Sequence, residues 1–160
     1  MTDSSTHRLQ SVEIDERSLS AVSRDQEQER QVAVFDLLEE NYFAPAGAAN
    51  GPYDLKLSLI DGRLALDIGG PGYGHRFMLS MSALRGAIKD YFVICESYYH
   101  AIRNATPHQI EALDMSRRAV HNEASELLIG RLEGKVAIDL PTSRRLFTLI
   151  CALHRRGSNT

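Results

Sequence analysis

One predicted helix, residues 111–128 (EALDMSRRAVHNEASELL), carries charged and titratable side chains that could do chemistry. At about 100° per residue, Arg117 falls in the middle of its apolar face, at a position where leucine is expected. An isolated charge buried there would cost several kcal/mol, so the guanidinium needs a partner. The pattern leaves two alternatives: a structural ion pair, for example with Glu96 or Asp114, or a site that binds an anion.

The site hypothesis places a phosphate or carboxylate ligand against the arginines of this helix. The histidine at the edge of the same face has an ordinary pKa near neutrality, which suits a general base that Asp114 could orient. The preceding helix carries tyrosines whose hydroxyls could border the same pocket. The candidate ligand-binding residues are Arg117, Arg118, His121, Asn122, Glu123, Tyr98 and Tyr99. The alternative role for His121 is that of a hydrogen-bonded packing residue.

The chain lacks the motifs that would complete a catalytic or metal site. Glu96 and His100 are spaced four apart on one predicted helix, but two ligands are too few for a metal. The string GGPGYG at 69–74 lacks the Gly-Lys-Ser/Thr of a phosphate loop and is typical of a hairpin loop. Cys95 and Cys151 lie in apolar stretches and are expected to be buried free thiols. The sequence therefore predicts no metal and no cofactor, and it assigns no catalytic residue.

The first part of the chain is predicted to form a strand and a helix. Residues 8–15 are expected to be a short strand, and the helix is expected from Ser23 to about Tyr42. Phe35 and Leu38 share one face of that helix with Tyr42. The stretch 44–52 (APAGAANGP) is predicted to be a loop, since it is rich in glycine and proline.

A β-hairpin is the clearest local prediction. Asp61-Gly62 is the sequence of a two-residue turn, and the flanking segments 53–60 and 63–68 alternate apolar with polar residues. This alternation is typical of strands with one buried and one solvated face. Residues 76–81 are expected to add a third antiparallel strand.

Helices dominate the remainder of the predicted fold. They are expected over 82–103, from Thr106 to about Glu133, and over 142–156, with a short strand at 136–140. The order β-α-β-β-β-α-α-β-α predicts an α+β fold. In it, an antiparallel sheet of about four to five strands, including one central Asp-Gly hairpin, packs against about four helices.

The last predicted helix contains LFTLICAL, residues 146–153, which is apolar almost all round. Such a helix is expected either at the centre of the core or in an interface with a partner.

Length and composition indicate one domain, since the chain has 160 residues, 43% of them hydrophobic and 24% charged. We expect a disordered N-terminus at 1–7, a single α+β domain at 8–157 and a tail at 158–160.

No apolar run is long enough to span a membrane and the first residues do not resemble a signal peptide, so we expect a cytoplasmic protein without a membrane partner. Residues 1–50 hold ten acidic residues and four arginines, and the rest of the chain holds eleven acidic and fourteen basic residues. Nucleic-acid binding needs a concentrated basic patch, which is not evident, so no nucleic-acid partner is predicted.

Long strings of the sequence resemble a family of bacterial proteins of similar length, the uncharacterised protein family UPF 0262. The strings are ERQVAVFDLLEEN (29–41), GPYDLKLSLIDGRLALDI (51–68), LRGAIKDYFVICESYYHAIRNATPHQIEALDMSRRAVHNEAS (84–125) and RRLFTLICALHRRG (144–157). The resemblance implies a small cytoplasmic bacterial protein. It transfers no activity and no catalytic residue.

Two functional hypotheses follow from the sequence. The first is a non-catalytic binding or regulatory domain that acts through a protein partner or through self-association. The second is a small-molecule site, with or without catalysis, for a phosphate- or carboxylate-bearing ligand at Arg117, Arg118 and His121.

Overall fold

The element order of the computed structural model, which describes residues 6–15 and 24–154, confirms an α+β fold. Its strands and helices are β1 (Leu9–Ile14), α1 (Arg24–Glu39), β2 (Phe43–Pro45), β3 (Tyr53–Ile60), β4 (Arg63–Gly70), β5 (Tyr73–Ser80), α2 (Ser82–Asn104), α3 (Pro107–Arg131), β6 (Val136–Ile138) and α4 (Leu140–His154). This order matches the prediction with one strand added, β2. The described residues contain no helix that is both long enough and apolar enough to span a bilayer.

The main sheet has the strand order β1-β3-β4-β5, with the predicted hairpin at its centre. Asp61 and Gly62 have positive φ angles of 52° and 75°, which a two-residue hairpin turn requires. The alternation of β3 and β4 buries Leu57 and Leu64, which face the helices in one continuous core.

The sheet is mixed, and the prediction of a purely antiparallel sheet is wrong in this respect. β1 pairs with β3 in parallel, with Val12 opposite Leu55, whereas β3, β4 and β5 are antiparallel. The reason lies in the connection: the chain passes through α1 between β1 and β3, and such a crossover is what a parallel pair requires.

A second sheet joins two short strands that are distant in sequence. Phe43 lies opposite Ile138 in the antiparallel pair β2–β6, although 44–52 was predicted as a loop. β6 ends at Ile138 and not at residue 140, because the carboxylate of Asp139 accepts the backbone N–H of Thr142 (2.9 Å) and starts α4 there. β2 was not predicted, because its three residues carry too little periodicity.

Helix α1 differs from its prediction in its end and its buried face. It ends at Glu39, three residues before Tyr42, and its predicted start at Ser23 lies outside the described residues. The buried positions are Gln26, Arg30, Ala33 and Leu37. Phe35 is instead 66% exposed. The buried Arg30 donates from Nε to the carbonyl of Ala152 in α4 (3.4 Å), which helps to set the orientation of α1.

Helix α4 lies at the centre of the helical layer, in contact with both α1 and α3. Its apolar run is buried within this chain, and Phe147, Leu149 and Ile150 have no exposed surface. Ser143 also donates its hydroxyl hydrogen to the carbonyl of Ser125 in α3 (2.6 Å). Of the two alternatives for this helix, the structure therefore supports the core position.

The start of the described chain packs on the sheet. His7 Nδ1 lies 2.7 Å from the hydroxyl of the fully buried Tyr53, and the two rings stack. The hydroxyl of Thr6 accepts the N–H of Gly51 (3.3 Å). These two residues fall within the predicted disordered terminus, whereas residues 1–5 and the predicted tail at 158–160 lie outside the described residues. The domain limits of 8–157 stay a prediction.

Candidate functional site

The α2–α3 hairpin positions the candidate residues. Thr106 caps α3: its hydroxyl accepts the N–H of Gln109 (3.3 Å), and the Gln109 side chain accepts the N–H of Thr106 (3.1 Å). Together with Pro107 in the first turn, this capping box starts α3 as predicted, with only two residues between the end of α2 and the start of α3. The short connection makes the two long helices antiparallel neighbours.

Arg117 is held in a structural ion pair on its own helix. Its guanidinium donates to the carboxylate of Asp114, and Arg118 lies 3.1 Å from the second oxygen of the same carboxylate. The hydrogen bond from Arg117 lowers the pKa of Asp114 and raises the pKa of Arg117 itself. The guanidinium carbon also lies 4.8 Å from the ring centroid of Tyr98, in cation–π geometry. The two arginines therefore converge, but on a carboxylate of this chain.

Tyr91 links this pair to the core. Burial, followed by a hydrogen bond with the Cys95 thiol, raises the pKa of Tyr91, although Arg117 also bonds to the hydroxyl and opposes this rise. The phenol therefore stays protonated at neutral pH. Its ring packs edge-on against His121 and Phe147, at centroid distances of 5.1 and 5.9 Å.

His121 is a neutral, packed imidazole. Its Nε2 lies 2.8 Å from the hydroxyl of Thr148, whose single hydrogen is donated to the carbonyl of Arg144 (3.0 Å). With that hydrogen on the carbonyl, the hydroxyl accepts from Nε2–H, and this arrangement has Nδ1 as the unprotonated nitrogen. Burial, then the positive charges of Arg144 and Arg117, lower the pKa of His121 to about 4.

This environment does not suit the predicted general base. A group with a pKa near 4 is a weak proton acceptor at neutral pH. The ring is oriented by Thr148, because Asp114 is engaged with the two arginines.

The other candidate residues are placed less closely together. Tyr99 adjoins Tyr98, with ring centroids 5.7 Å apart, and is 59% exposed. The Oδ1 atom of Asn122 is buried without a hydrogen-bond partner, as is Nε of Arg117. Glu123 is exposed and lies about 200° round the helix axis from His121, so it does not border the same surface.

Sequence reasoning missed the contribution of α4 to this cluster. Phe147, Thr148 and Arg144 surround His121, but a residue in α4 cannot be linked to α3 by spacing along the chain. The only available signal was that Thr148 is the single hydrogen-bonding residue within the apolar run other than a cysteine. Within the described residues, no group of three or more His, Cys, Asp or Glu side chains could hold a metal ion.

Comparison with known proteins identifies the family. The family described as uncharacterised protein family UPF0262 matches residues 6–156. UPF0262 proteins of Phenylobacterium zucineum and Caulobacter vibrioides are 72% and 69% identical to this chain over 151 residues, which is 94% of this chain and 95% of each relative. The UPF0262 protein of Hyphomonas neptunium is 59% identical over 150 residues, 92% of this chain and 93% of the relative. No solved structure is significantly similar to this chain. The chain therefore belongs to the bacterial UPF0262 family, as its sequence strings predicted.

Proposed function

We propose that this protein is a non-catalytic binding or regulatory domain that acts through a protein partner or through self-association. One observation carries the proposal. The apolar stripe of α2 is covered by the core at Leu84 and Ile88, which are 0% and 5% exposed, but it continues outward to Tyr99 and Ile102, which are 59% and 51% exposed. A stripe that starts in the core and ends in solvent is typical of a surface that another molecule covers.

The distribution of exposed apolar side chains supports the same proposal. Six large hydrophobic residues are exposed in the described part of the chain, and two of them, Tyr99 and Ile102, lie close together at the outer end of α2. Helix α4 contacts α3 near Ser125 and His121, so the hairpin end beyond these contacts is less covered.

The state of the titratable cluster favours binding over catalysis. Arg117 is paired with Asp114, and His121 is neutral and hydrogen-bonded to Thr148. Both side chains are thus occupied by contacts that stabilise the helical layer.

Substitutions at the outer end of the stripe test the proposal. We expect Tyr99→Asp and Ile102→Asp to abolish a complex, either with a second copy in light scattering or with a partner retained by the immobilised protein. Val93→Asp is the matched control, because Val93 is 55% exposed but lies about 180° round the helix from Ile102. If all three variants form the same complexes as wild type, the surface is wrongly assigned. If wild type forms no complex of either kind, the proposal fails.

The alternative is a small-molecule site for a phosphate or carboxylate. It is supported by the side chain of Arg118, which is 61% exposed and shares the single carboxylate of Asp114 with Arg117. Two guanidinium charges thus face one carboxylate, and one positive charge is left for an anionic ligand. In a thermal-shift screen, a ligand at about 100 times its Kd should stabilise wild type by about 2.7 kcal/mol and should not stabilise Arg118→Ala. An equal shift in both proteins, or no shift with any anion, would exclude this site.

A further inference from the structure

We propose that the partner at this surface is a second copy of the chain, with the two α2 helices packed antiparallel about a twofold axis between Tyr99 and His100. This inference rests on the proposed function, because it identifies the partner of the same region of α2.

A side face of α2 carries the residues that such a dimer needs. Phe92, Glu96, Tyr99 and Arg103 are spaced 4, 3 and 4 residues apart, so they follow one stripe along the helix. Phe92 is half-buried, and the other three side chains are exposed. We call these four residues the α2 side face. Ile102 borders it, about 60° round the helix from Tyr99.

The charges of the α2 side face are self-complementary. Glu96 and Arg103 lie at equal distances on either side of the midpoint between Tyr99 and His100. A twofold axis at that point places Glu96 of each copy beside Arg103 of the other, and both ion pairs form at once. A parallel arrangement in register would bring Glu96 against Glu96 and would be repulsive.

Glu96 and Arg103 are available for these contacts. They are seven residues apart, about 10 Å along the helix axis, which is too far for a pair within one helix. Neither takes part in the ion pairs between described residues, which join Arg76 to Asp67 and Asp114 to Arg117 and Arg118.

The other exposed apolar pair is less suited to a second copy. Val32 and Phe35 on α1 are 52% and 66% exposed, but they are neighboured on their helix by Asp36 and Glu39. Two such surfaces would bring carboxylates together. The α2 side face, in contrast, supplies both signs of charge itself.

Charge reversal tests the arrangement by sedimentation and native mass spectrometry. A contact made by two helices is at the small end of stable interfaces, so the wild-type series should extend to about 1 mM protein. We expect a wild-type dimer, and an increase in its Kd of at least about tenfold for Glu96→Arg and for Arg103→Glu. An equimolar mixture of the two variants should form a heterodimer, because both of its pairs again join opposite charges. Glu126→Arg, at an exposed position on α3, is the control and should dimerise like wild type.

The outcomes separate this inference from the function on which it rests. A wild-type monomer throughout the series would overturn the second copy, and the proposed function would stand if Tyr99 and Ile102 still determined binding to another protein. A dimer that tolerates both charge reversals would overturn the antiparallel α2 contact. The antiparallel α2 contact is supported if each variant alone dimerises weakly and the equimolar mixture of the two forms a dimer.

Discussion

The titration of His121 leads to a quantitative prediction about stability. Burial and the charges of Arg144 and Arg117 lower its pKa from an ordinary 6.5 to about 4 in the folded chain. Between these values the unfolded chain binds the proton and the folded chain does not, so stability falls as the pH is lowered. The contribution is present in full above about pH 6.5 and is lost as the pH falls to about 4. Because the imidazole is only partly buried, solvent screening reduces the free energy that this pKa difference represents to about 1–2 kcal/mol, with the steepest change near pH 5.

The assay is denaturant unfolding of wild type and His121→Gln from pH 7.5 to pH 3.5. Glutamine keeps an N–H that can donate to Thr148 but does not titrate. The unfolding free energy of wild type minus that of His121→Gln should therefore fall by about 1–2 kcal/mol from pH 6.5 to pH 4. Carboxylates such as Asp114 titrate in both proteins, so their contributions to the pH dependence of stability largely cancel in this difference. His108→Gln, at an exposed histidine on the same helix, is the control and should follow wild type. A constant difference between wild type and His121→Gln would refute the description of a neutral, half-buried imidazole.

Two further predictions concern packing and the ion pair. A Cβ at Gly70 would lie 2.8 Å from Cδ1 of the fully buried Tyr53, so Gly70→Ala should lower the thermal-unfolding stability by about 1–3 kcal/mol, whereas Gly69→Ala, with nothing within 4 Å, should not show this loss. Equal stabilities of the two alanine variants would contradict the packing described for that ring. Asp114→Asn should lower the stability measured in chemical denaturation, because it leaves Arg117 without its carboxylate. A loss that becomes smaller as the pH is lowered and the wild-type carboxylate is protonated would support this cause, and a loss that is independent of pH would exclude it.

The predictable part of the fold was the part that local chemistry specifies. The Asp61-Gly62 turn, the Thr106 capping box and the stripe of α2 each depend on residues within a few positions of one another. The errors occurred where distant segments decide. Strand β2 forms by pairing with β6, which is far away in the chain. The end of β6 is an exception, because the local bond between Asp139 and Thr142 sets it.

Helix α1 shows why periodicity alone was insufficient. Phe35 and Leu38 suggested one face, but Phe35 is exposed and the buried side includes Arg30. An arginine is accepted there because α4 presents the carbonyl of Ala152 to it. Because this acceptor lies on another helix, the residue spacing within α1 does not indicate it.

At the candidate site, the sequence indicated how Arg117 is paired but not the environment of His121. The sequence by itself determined that Arg117 must be paired, since it falls on an apolar face, and it named Asp114 among the two partners. Only the tertiary structure decided the rest. Packing of α4 places Thr148 and Phe147 on His121 and brings Arg144 near it, which keeps the imidazole neutral. Packing also covers the inner half of the α2 stripe and leaves Tyr99 and Ile102 exposed. The physical reason is that burial and pKa depend on which elements meet, whereas helix formation and turn geometry depend on neighbours in sequence.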